Sequence, residues 1–426
     1  MDDLGAIRAQ GFDALWVMGI FPIGKRNAFG TAGGSPYSVA DHETVHPDLG
    51  SEEEFAAFTA RAHAAGLKVI IDFIPNHTSM DSRLLWDHPD FFIGGPAPAP
   101  NENPMPRGSF DHRARDGRTR WISHGGYDSY GSMAYWEDTA QVDYSNPETR
   151  AEMIRIVRSW VRRFGVDGFR VDMAYQVTNH YFSRNWRRPM PGREFLEELI
   201  TEVRADAPAT GFIAEAYDRW DDLSKAGFDL IYGKNNIDRP GGHQGWYDAL
   251  GSRDPGWIRE AIRRAAYLRW QAGGSDALDF VGNHDEPAPE RAFGPWRRGA
   301  AWLTLLMPGN LLFYGSQEVG FDRPTPAEPK SLPFSVPVQV DWKGDPETAR
   351  FYRETFSRAA ALRDEGDWEI RPLDGAAQGW AGYLLVSDRG AKAAVLANPS
   401  DRAVPVNFPT YSAILPAFGY ALVRLP

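Results

Sequence analysis

The sequence predicts an α/β chain built on a (β/α)8 TIM barrel, interrupted by one insertion and followed by a small antiparallel β domain. Three observations predict it. Apolar runs of four to seven residues, several rich in Val and Ile, alternate with amphipathic segments of helical period, the pattern of βα units around a parallel sheet. Polar residues able to do chemistry stand at the ends of these runs. The length of 426 residues exceeds one average domain and suits a barrel of roughly 250 residues with additions.

Taken in order, the chain opens in a helix-like segment, Asp2 to Gly11, and Ala14 to Met18 reads as a strand. Ser51 to Ala65 reads as a helix, with Glu52, Glu53 and Glu54 in its first turn and Gly66 as its stop. Lys68 to Phe73 is the next strand. From Met80 to Asp143 the βα rhythm gives way to a stretch dense in Pro, Gly, Trp and Tyr. A connection of that length inside a compact domain is usually a functional insertion. The rhythm resumes with a helix from Asn146 to Phe164, opened by Asn-Pro-Glu. Strands are then predicted at Gly168 to Asp172, Gly211 to Glu215, Asp229 to Tyr232, Leu278 to Gly282 and Leu311 to Tyr314. Near Asp364 the pattern shifts to short alternating segments, WAGYLLVSD, AKAAVLANPS and YALVRLP, as in antiparallel strands. The expected divisions are a first part of the barrel (1–79), the insertion (80–143), a second part of the barrel (144–364) and the C-terminal β domain (365–426).

These predicted strands number seven, whereas a closed barrel of this kind has eight and an open one would leave two unpaired edges. The expectation is a first barrel strand missing from the chain, with the true start upstream. Met1-Asp2-Asp3 lacks the basic and apolar regions of a secretory signal, and no uncharged apolar run approaches the ~20 residues that span a bilayer. As written the chain is expected to be cytoplasmic; an upstream start would make room for a signal and a secreted or periplasmic destination.

Composition narrows the function classes. The net charge is -11, from 46 basic and 57 acidic side chains, and the acids are interspersed with Arg instead of massed in a tail. Nucleic acid and anionic membranes are therefore not expected partners, and a neutral substrate suits the surface better. With no Cys there is no disulfide framework and no thiolate metal site. A His-Glu-x-x-His cluster and a Gly-rich phosphate loop ahead of a helix are both missing from the sequence. The aromatic load, 15 Trp, 16 Tyr and 24 Phe, would suit stacking on sugar rings as well as core packing.

Four segments at the ends of apolar runs carry the candidate chemistry: IIDFIPNHTS (Ile70 to Ser79), GFRVDMA (Gly168 to Ala174), FIAEAYD (Phe212 to Asp218) and FVGNHDEP (Phe280 to Pro287). Asp172 follows Arg170 by two residues, so on a strand both side chains share a face and the guanidinium can hold the carboxylate ionised and aimed. Glu215 closes the apolar run Phe212-Ile213-Ala214, where partial burial is expected to raise its pKa and keep it protonated. Asp285 supplies a third carboxylate. A lone acid at a strand end is ordinarily solvated or caps a helix. Two carboxylates facing each other across a glycosidic bond are instead what retaining glycoside hydrolysis needs.

At these residues the chain resembles the α-amylase family of glycoside hydrolases (glycoside hydrolase family 13), and the likeness runs from Gly11-Phe12-Asp13-Ala14-Leu15-Trp16 to the terminal β segments. It implies an insertion after barrel strand three and a C-terminal β-sandwich. It also implies Asp172 as nucleophile, Glu215 as acid and then base, and Asp285 as the acid that hydrogen-bonds ring hydroxyls. His77 and His284 match the two histidines that bind hydroxyls of the cleaved sugar, Arg170 the arginine beside the nucleophile, Tyr37 the tyrosine that stacks under that sugar, and Asp72 an aspartate that supports the site. Asn76 matches a calcium ligand, so a structural calcium is implied while no cofactor is required for the chemistry.

Departures bear on specificity. Many relatives carry Lys-His where this chain has Tyr175 and Gln176. Gln141-Val142-Asp143-Tyr144-Ser145 resembles the family's short motif near the end of the insertion without matching its usual versions, and Phe313 to Gly320 resembles the eighth-strand motif with Ser316 where glycine is common. Glu286, beside Asp285, reads as a solvated or Arg-paired side chain more readily than as a rim contact to sugar. The implied function is a retaining hydrolase of α-1,4-glucosidic bonds in starch, glycogen or maltooligosaccharides. The alternatives are a transglycosylase of the same family and a non-catalytic carbohydrate-binding homologue. Trp121, Tyr127, Tyr130 and Trp136 of the insertion are candidates for lining the acceptor side.

Overall fold

The computed structural model describes residues 3–97, 106–129, 131–234, 245–270, 274–373, 379–408 and 411–426. It contains two compact units. The first holds nearly all of the chain up to Asp229 together with Phe334–Pro337; the second holds Leu230–Pro333, Val338–Pro426 and the short stretch Ala9–Gly11.

In the first unit, strands β1 (Ala14–Val17) and β2 (Lys68–Phe73) pair in parallel, Ala14 opposite Lys68. Between them runs the helix Glu52–Ala64. Ser51 starts it: its hydroxyl accepts from the Glu54 N–H at 3.2 Å and the Glu54 carboxylate accepts from the Ser51 N–H at 2.8 Å, so two orphan amides are satisfied at once. The insertion follows as short antiparallel pieces. These are β3 (His77–Ser79), β4 (Gly94–Pro96), β5 (Ser109–Arg113), β6 (Thr119–Ser123), β7 (Gly125–Ser129), β8 (Ser132–Trp136) and β9 (Thr139–Gln141). They pair as β3 with β9, β7 with β8, and β4, β6 and β5 in a three-stranded sheet. The sequence announced this region as a break in rhythm; its strands are too short to show period.

Helix Pro147–Phe164 leads back to the parallel strands. Asn146 caps it by accepting from the Glu148 N–H, and Gly165 ends it at φ 62°, a left-handed position that favours glycine. Its Trp160 anchors the unit's core: the indole N–H donates to the His42 carbonyl at 2.6 Å, and the ring meets Phe21 and Phe55 edge-on at 5.3 and 5.7 Å. Strands β10 (Gly168–Val171) and β11 (Gly211–Ala214) follow. β10 lies between β2 and β11, all parallel, with Arg170 opposite Asp72 on one side and Ile213 on the other.

In the second unit, β12 (Leu230–Tyr232), β13 (Asp276–Asp279) and β14 (Asn310–Leu311) are likewise parallel. β13 starts earlier and ends earlier than the predicted Leu278 to Gly282. Phe280 and Val281 are apolar because they are buried, not because they pair in a ladder. β14 is likewise shorter than its apolar run, which continues through Tyr314 as loop. The terminal β region has β15 (Trp368–Pro372), β16 (Ala381–Ser387), β17 (Lys392–Ala397), β18 (Val404–Phe408), β19 (Tyr411–Leu415) and β20 (Tyr420–Leu425). A four-stranded antiparallel sheet in the order β15, β16, β17, β20 and the hairpin of β18 with β19 share a core of Trp380, Ala394, Leu396, Val404, Val406 and Leu415, a small sandwich. Among the described residues no helix is long and apolar enough to cross a membrane.

Trp160→Ala should lower stability by about 3–5 kcal/mol, since it removes a fully buried indole and leaves a cavity. Trp86→Ala, at a side chain half exposed, should change it by less than about 0.5 kcal/mol. Urea midpoints for the two variants check both.

Candidate active site

The parallel strands of the first unit bring Asp72, Arg170, Asp172 and Glu215 together, each buried. Arg170 is the centre. Its Nη1 donates to Asp72 Oδ1 at 3.2 Å and to Asp172 Oδ1 at 2.8 Å, and its Nη2 lies 2.9 Å from Glu215 Oε2. The guanidinium also sits against the faces of Trp16 and Tyr37, 5.0 and 5.5 Å from their ring centroids. Trp16 donates its indole N–H to Asp72 Oδ2 at 3.1 Å, so the supporting aspartate is itself held from β1. One cation thus faces three carboxylates in a desolvated place. A planar fork with five fixed donors can bridge them, which an ammonium cannot. Asp172 and Glu215 thus meet the two terminal nitrogens of the same guanidinium.

Asp172 begins where β10 ends, its N–H still bonded to the Phe73 carbonyl at 2.8 Å. The chain then turns through Met173 in a left-handed conformation, φ 44°, unusual for a residue with a side chain. That turn points the Met173 N–H at Glu215 Oε2, 2.8 Å away, and Tyr217 donates its hydroxyl to Glu215 Oε1 at 2.7 Å. The apolar run before it buries the residue, and its carboxylate accepts two hydrogen bonds, with the Arg170 guanidinium beside it as ion-pair partner. Tyr175, the departure from Lys-His, is buried with its ring edge-on to Tyr181 and Tyr217 at 5.4 and 5.9 Å, and burial pushes its hydroxyl pKa upward.

His77 lies on β3, where burial pushes its imidazole down to about 4 against the opposing pull of Asp138 and of a hydrogen bond to the Tyr37 main chain. The insertion hairpin covers it. A Cβ at Gly125 would stand 2.8 Å from the Cβ of His77, so only glycine lets β7 lie so close. Trp136 then packs beside the His77 ring at 5.1 Å and Tyr127 beside Trp136 at 5.3 Å. Of the four candidate insertion aromatics, Trp136 thus meets His77, and Tyr127 meets Trp136. Trp121 belongs to the sheet of β4, β5 and β6 and packs over Gly95, and Tyr130 lies outside the described residues.

Asn76 does not fit a calcium site. Its Oδ1 and its main-chain oxygen both accept from Gln141 Nε2, at 3.1 and 2.8 Å, so an amide donor stands where a hard cation would need oxygen. No cluster of three or more His, Asp or Glu able to hold a metal occurs among the described residues. Asn76 also buttresses the pairing of β3 with β9 through Gln141.

In the second unit, Asn283 Oδ1 accepts from the N–H groups of Asp285 and Glu286 at 2.8 and 3.0 Å and shapes the turn that presents Asp285. His284 Nε2 lies 2.9 Å from Asp285 Oδ2 and Lys330 Nζ donates to Asp285 Oδ1 at 2.7 Å. Burial alone would raise the Asp285 carboxyl, yet the neighbouring His284 and Lys330 outweigh it and hold it well below the usual carboxylate range. Glu286 is neither solvated nor Arg-paired: it is buried against Lys234. Tyr217 and Lys330 were missed from sequence. Tyr217 stands two residues from Glu215, the same spacing that drew attention to Arg170, whereas Lys330 is distant in sequence and carries no local signal.

A family model described as Alpha amylase, catalytic domain, matches residues 1–226. Alpha-amylase 3 of Dictyoglomus thermophilum is 24% identical over 348 residues, which cover 78% of this chain and 62% of that protein. An alpha-1,4-glucan:maltose-1-phosphate maltosyltransferase of Pseudomonas aeruginosa is 29% identical over 249 residues, 54% of this chain and 31% of that protein. The chain thus spans about three fifths or less of the length of these curated relatives. Among solved structures, the alpha-amylase of Geobacillus thermoleovorans complexed with acarbose superposes with a TM-score of 0.67 at 17% identity, covering 100% of this chain and 91% of that one, a likeness of fold.

Arg170→Met should cost about 3–5 kcal/mol at pH 7, because it strands buried carboxylates. The deficit relative to the parent should shrink at pH 5, where those carboxylates can take up protons; urea midpoints at the two pH values check it. His77 gives a second pH signature. Neutral when folded down to about 4 and titrating near 6.5 when unfolded, it contributes stability that is complete above pH 6.5 and falls as pH drops toward 4. The slope is about 1.4 kcal/mol per pH unit in that window, and in His77→Gln that part of the slope should vanish.

Proposed function

The chain belongs to the α-amylase family of glycoside hydrolases, and from that premise we propose that it is a retaining α-glucan hydrolase cleaving α-1,4-glucosidic bonds of starch, glycogen or maltooligosaccharides. The observation that carries the reading is the pair of buried carboxylates, Asp172 and Glu215, bound to opposite nitrogens of Arg170. Asp172, ionised beside the guanidinium, attacks the anomeric carbon and forms the covalent glycosyl ester. Glu215 protonates the departing glycosidic oxygen, then takes a proton from the water that hydrolyses the ester. Asp285 is the third acid, kept ionised by His284 and Lys330 so that it can accept hydrogen bonds from sugar hydroxyls. Tyr37 offers a ring face to the sugar, and His77 and His284 bind its hydroxyls. The chemistry rests on carboxylates and draws on no organic cofactor.

One observation favours a second reading, transfer of the glycosyl group to a sugar or phosphate acceptor. Tyr175 stands where many relatives place a lysine, and the rings of Tyr217, Tyr181, Tyr127 and Trp136 lie in the same unit. Aromatic faces hold a sugar acceptor and reduce access of water. A non-catalytic role is disfavoured, since a binding protein has no need to bury acids around one cation at such desolvation cost.

Incubation with maltoheptaose, with products resolved by size and anomeric configuration, separates these readings. Shorter products released first as α-anomers support the hydrolase, products longer than the input support transfer, and β-anomers released first would overturn both. Asp172→Asn and Glu215→Gln should each cut turnover by at least about a thousandfold while leaving the fold and glucan binding in place, as read by circular dichroism and calorimetric titration. Full activity in either variant would overturn the role given to that residue.

A further inference from the structure

The donors around Glu215 determine which of its oxygens can carry a proton. Oε2 accepts from the Met173 N–H at 2.8 Å and faces Arg170 Nη2 at 2.9 Å. A main-chain amide donates and never accepts, so a hydroxyl at Oε2 would be set against that donor and beside the guanidinium charge. The proton of the acid form therefore belongs on Oε1, the atom to which the Tyr217 hydroxyl donates at 2.7 Å. A phenol can donate or accept by rotating about its C–O bond. The Tyr217 ring is itself held, meeting Tyr175 edge-on at 5.9 Å, and Tyr175 meets Tyr181 in the same way at 5.4 Å.

We propose that Tyr217 is a positioning residue for the proton cycle of Glu215, donating to Oε1 while the carboxylate is ionised and turning to accept from it once it is protonated. The inference rests on reading Glu215 as the acid and base. Among the described residues of the first unit, the charged or titratable groups facing Glu215 include Arg170 from β10, Tyr175 from the turn after it and Tyr217 from its own segment, with Asp172 and Asp72 across the guanidinium. Arg170 and Met173 fix Oε2 in both protonation states. The group that changes its hydrogen-bonding role with the proton is Tyr217. Its hydrogen bond to the ionised carboxylate is charge-assisted and stronger than the one it accepts from the neutral acid, so the net effect lowers the affinity of Glu215 for its proton and favours release to the leaving oxygen in the first half-reaction.

The test uses the full chain. The Glu215 carboxyl is followed by 13C NMR with labelled glutamate, its resonance identified by its loss in Glu215→Gln, and the pH profile of kcat/KM on maltoheptaose is measured beside it. Tyr217→Phe should raise the midpoint of the carboxyl resonance and the basic limb of the profile together by about one pH unit, and lower kcat about tenfold with KM changed less than about twofold. Replacing Tyr217 by 3-fluorotyrosine, a stronger donor of the same shape, should move both downward, and this variant serves if the phenylalanine form fails to fold. An unmoved midpoint in the folded variants, or a rise in KM alone, would reduce Tyr217 to a packing residue. Retention of turnover and of the basic limb in Glu215→Gln would instead overturn the assignment of Glu215, while the NMR midpoint would still report whether Tyr217 controls its proton.

Discussion

The burial of one guanidinium among carboxylates is the constraint on which the first unit is organised. Arg170 can reach Asp72, Asp172 and Glu215 because β10 lies between β2 and β11 in a register that sets Arg170 beside Asp72. Shift β10 by one residue and its side chains exchange faces, leaving acids buried without their cation. The register of three strands and the ionisation of the acids are therefore one problem with one solution. Trp16 and Tyr37 extend it by enclosing the guanidinium, which excludes water and strengthens each ion pair.

Under the proposed roles, the same arrangement gives the two acids different surroundings while they share a cation. Asp172 is held by Arg170 at the strand end, suited to remain an anion. Glu215 meets the other arm of the guanidinium, yet also a main-chain amide presented by the strained turn at Met173 and a phenol that can reverse its hydrogen bond. The left-handed backbone at Met173 costs of order 1 kcal/mol, and the amide it directs at Glu215 gives that cost a purpose. The insertion adds a wall: Gly125 lets a hairpin lie against His77 and brings Trp136 and Tyr127 beside it.

Much of this was legible in the sequence, and for physical reasons. β10 is buried on both faces and β2 over most of its length, so their apolar runs stand out, and Arg170 with Asp172 declares a shared face by parity. Helix ends at Ser51, Asn146 and Gly165 follow from capping chemistry. Where apolarity serves burial outside a ladder, as at Phe280 and Val281, strand limits were misplaced. The polar shell of Glu215 was not foreseen, because two of its partners come from other segments, a turn amide and a guanidinium. Lys330 on Asp285 and Gln141 on Asn76 depend on long-range approach, which leaves no local signature.

The covalent intermediate is the claim from which the roles of all these groups descend. Incubation with 5-fluoro-α-D-glucosyl fluoride, which slows breakdown of the glycosyl ester, followed by proteolysis and mass mapping, tests it directly. The account predicts a single fluoroglycosyl ester on Asp172, missing from Asp172→Asn. An ester on Glu215 or Asp285, or turnover with inverted configuration and no ester, would contradict it.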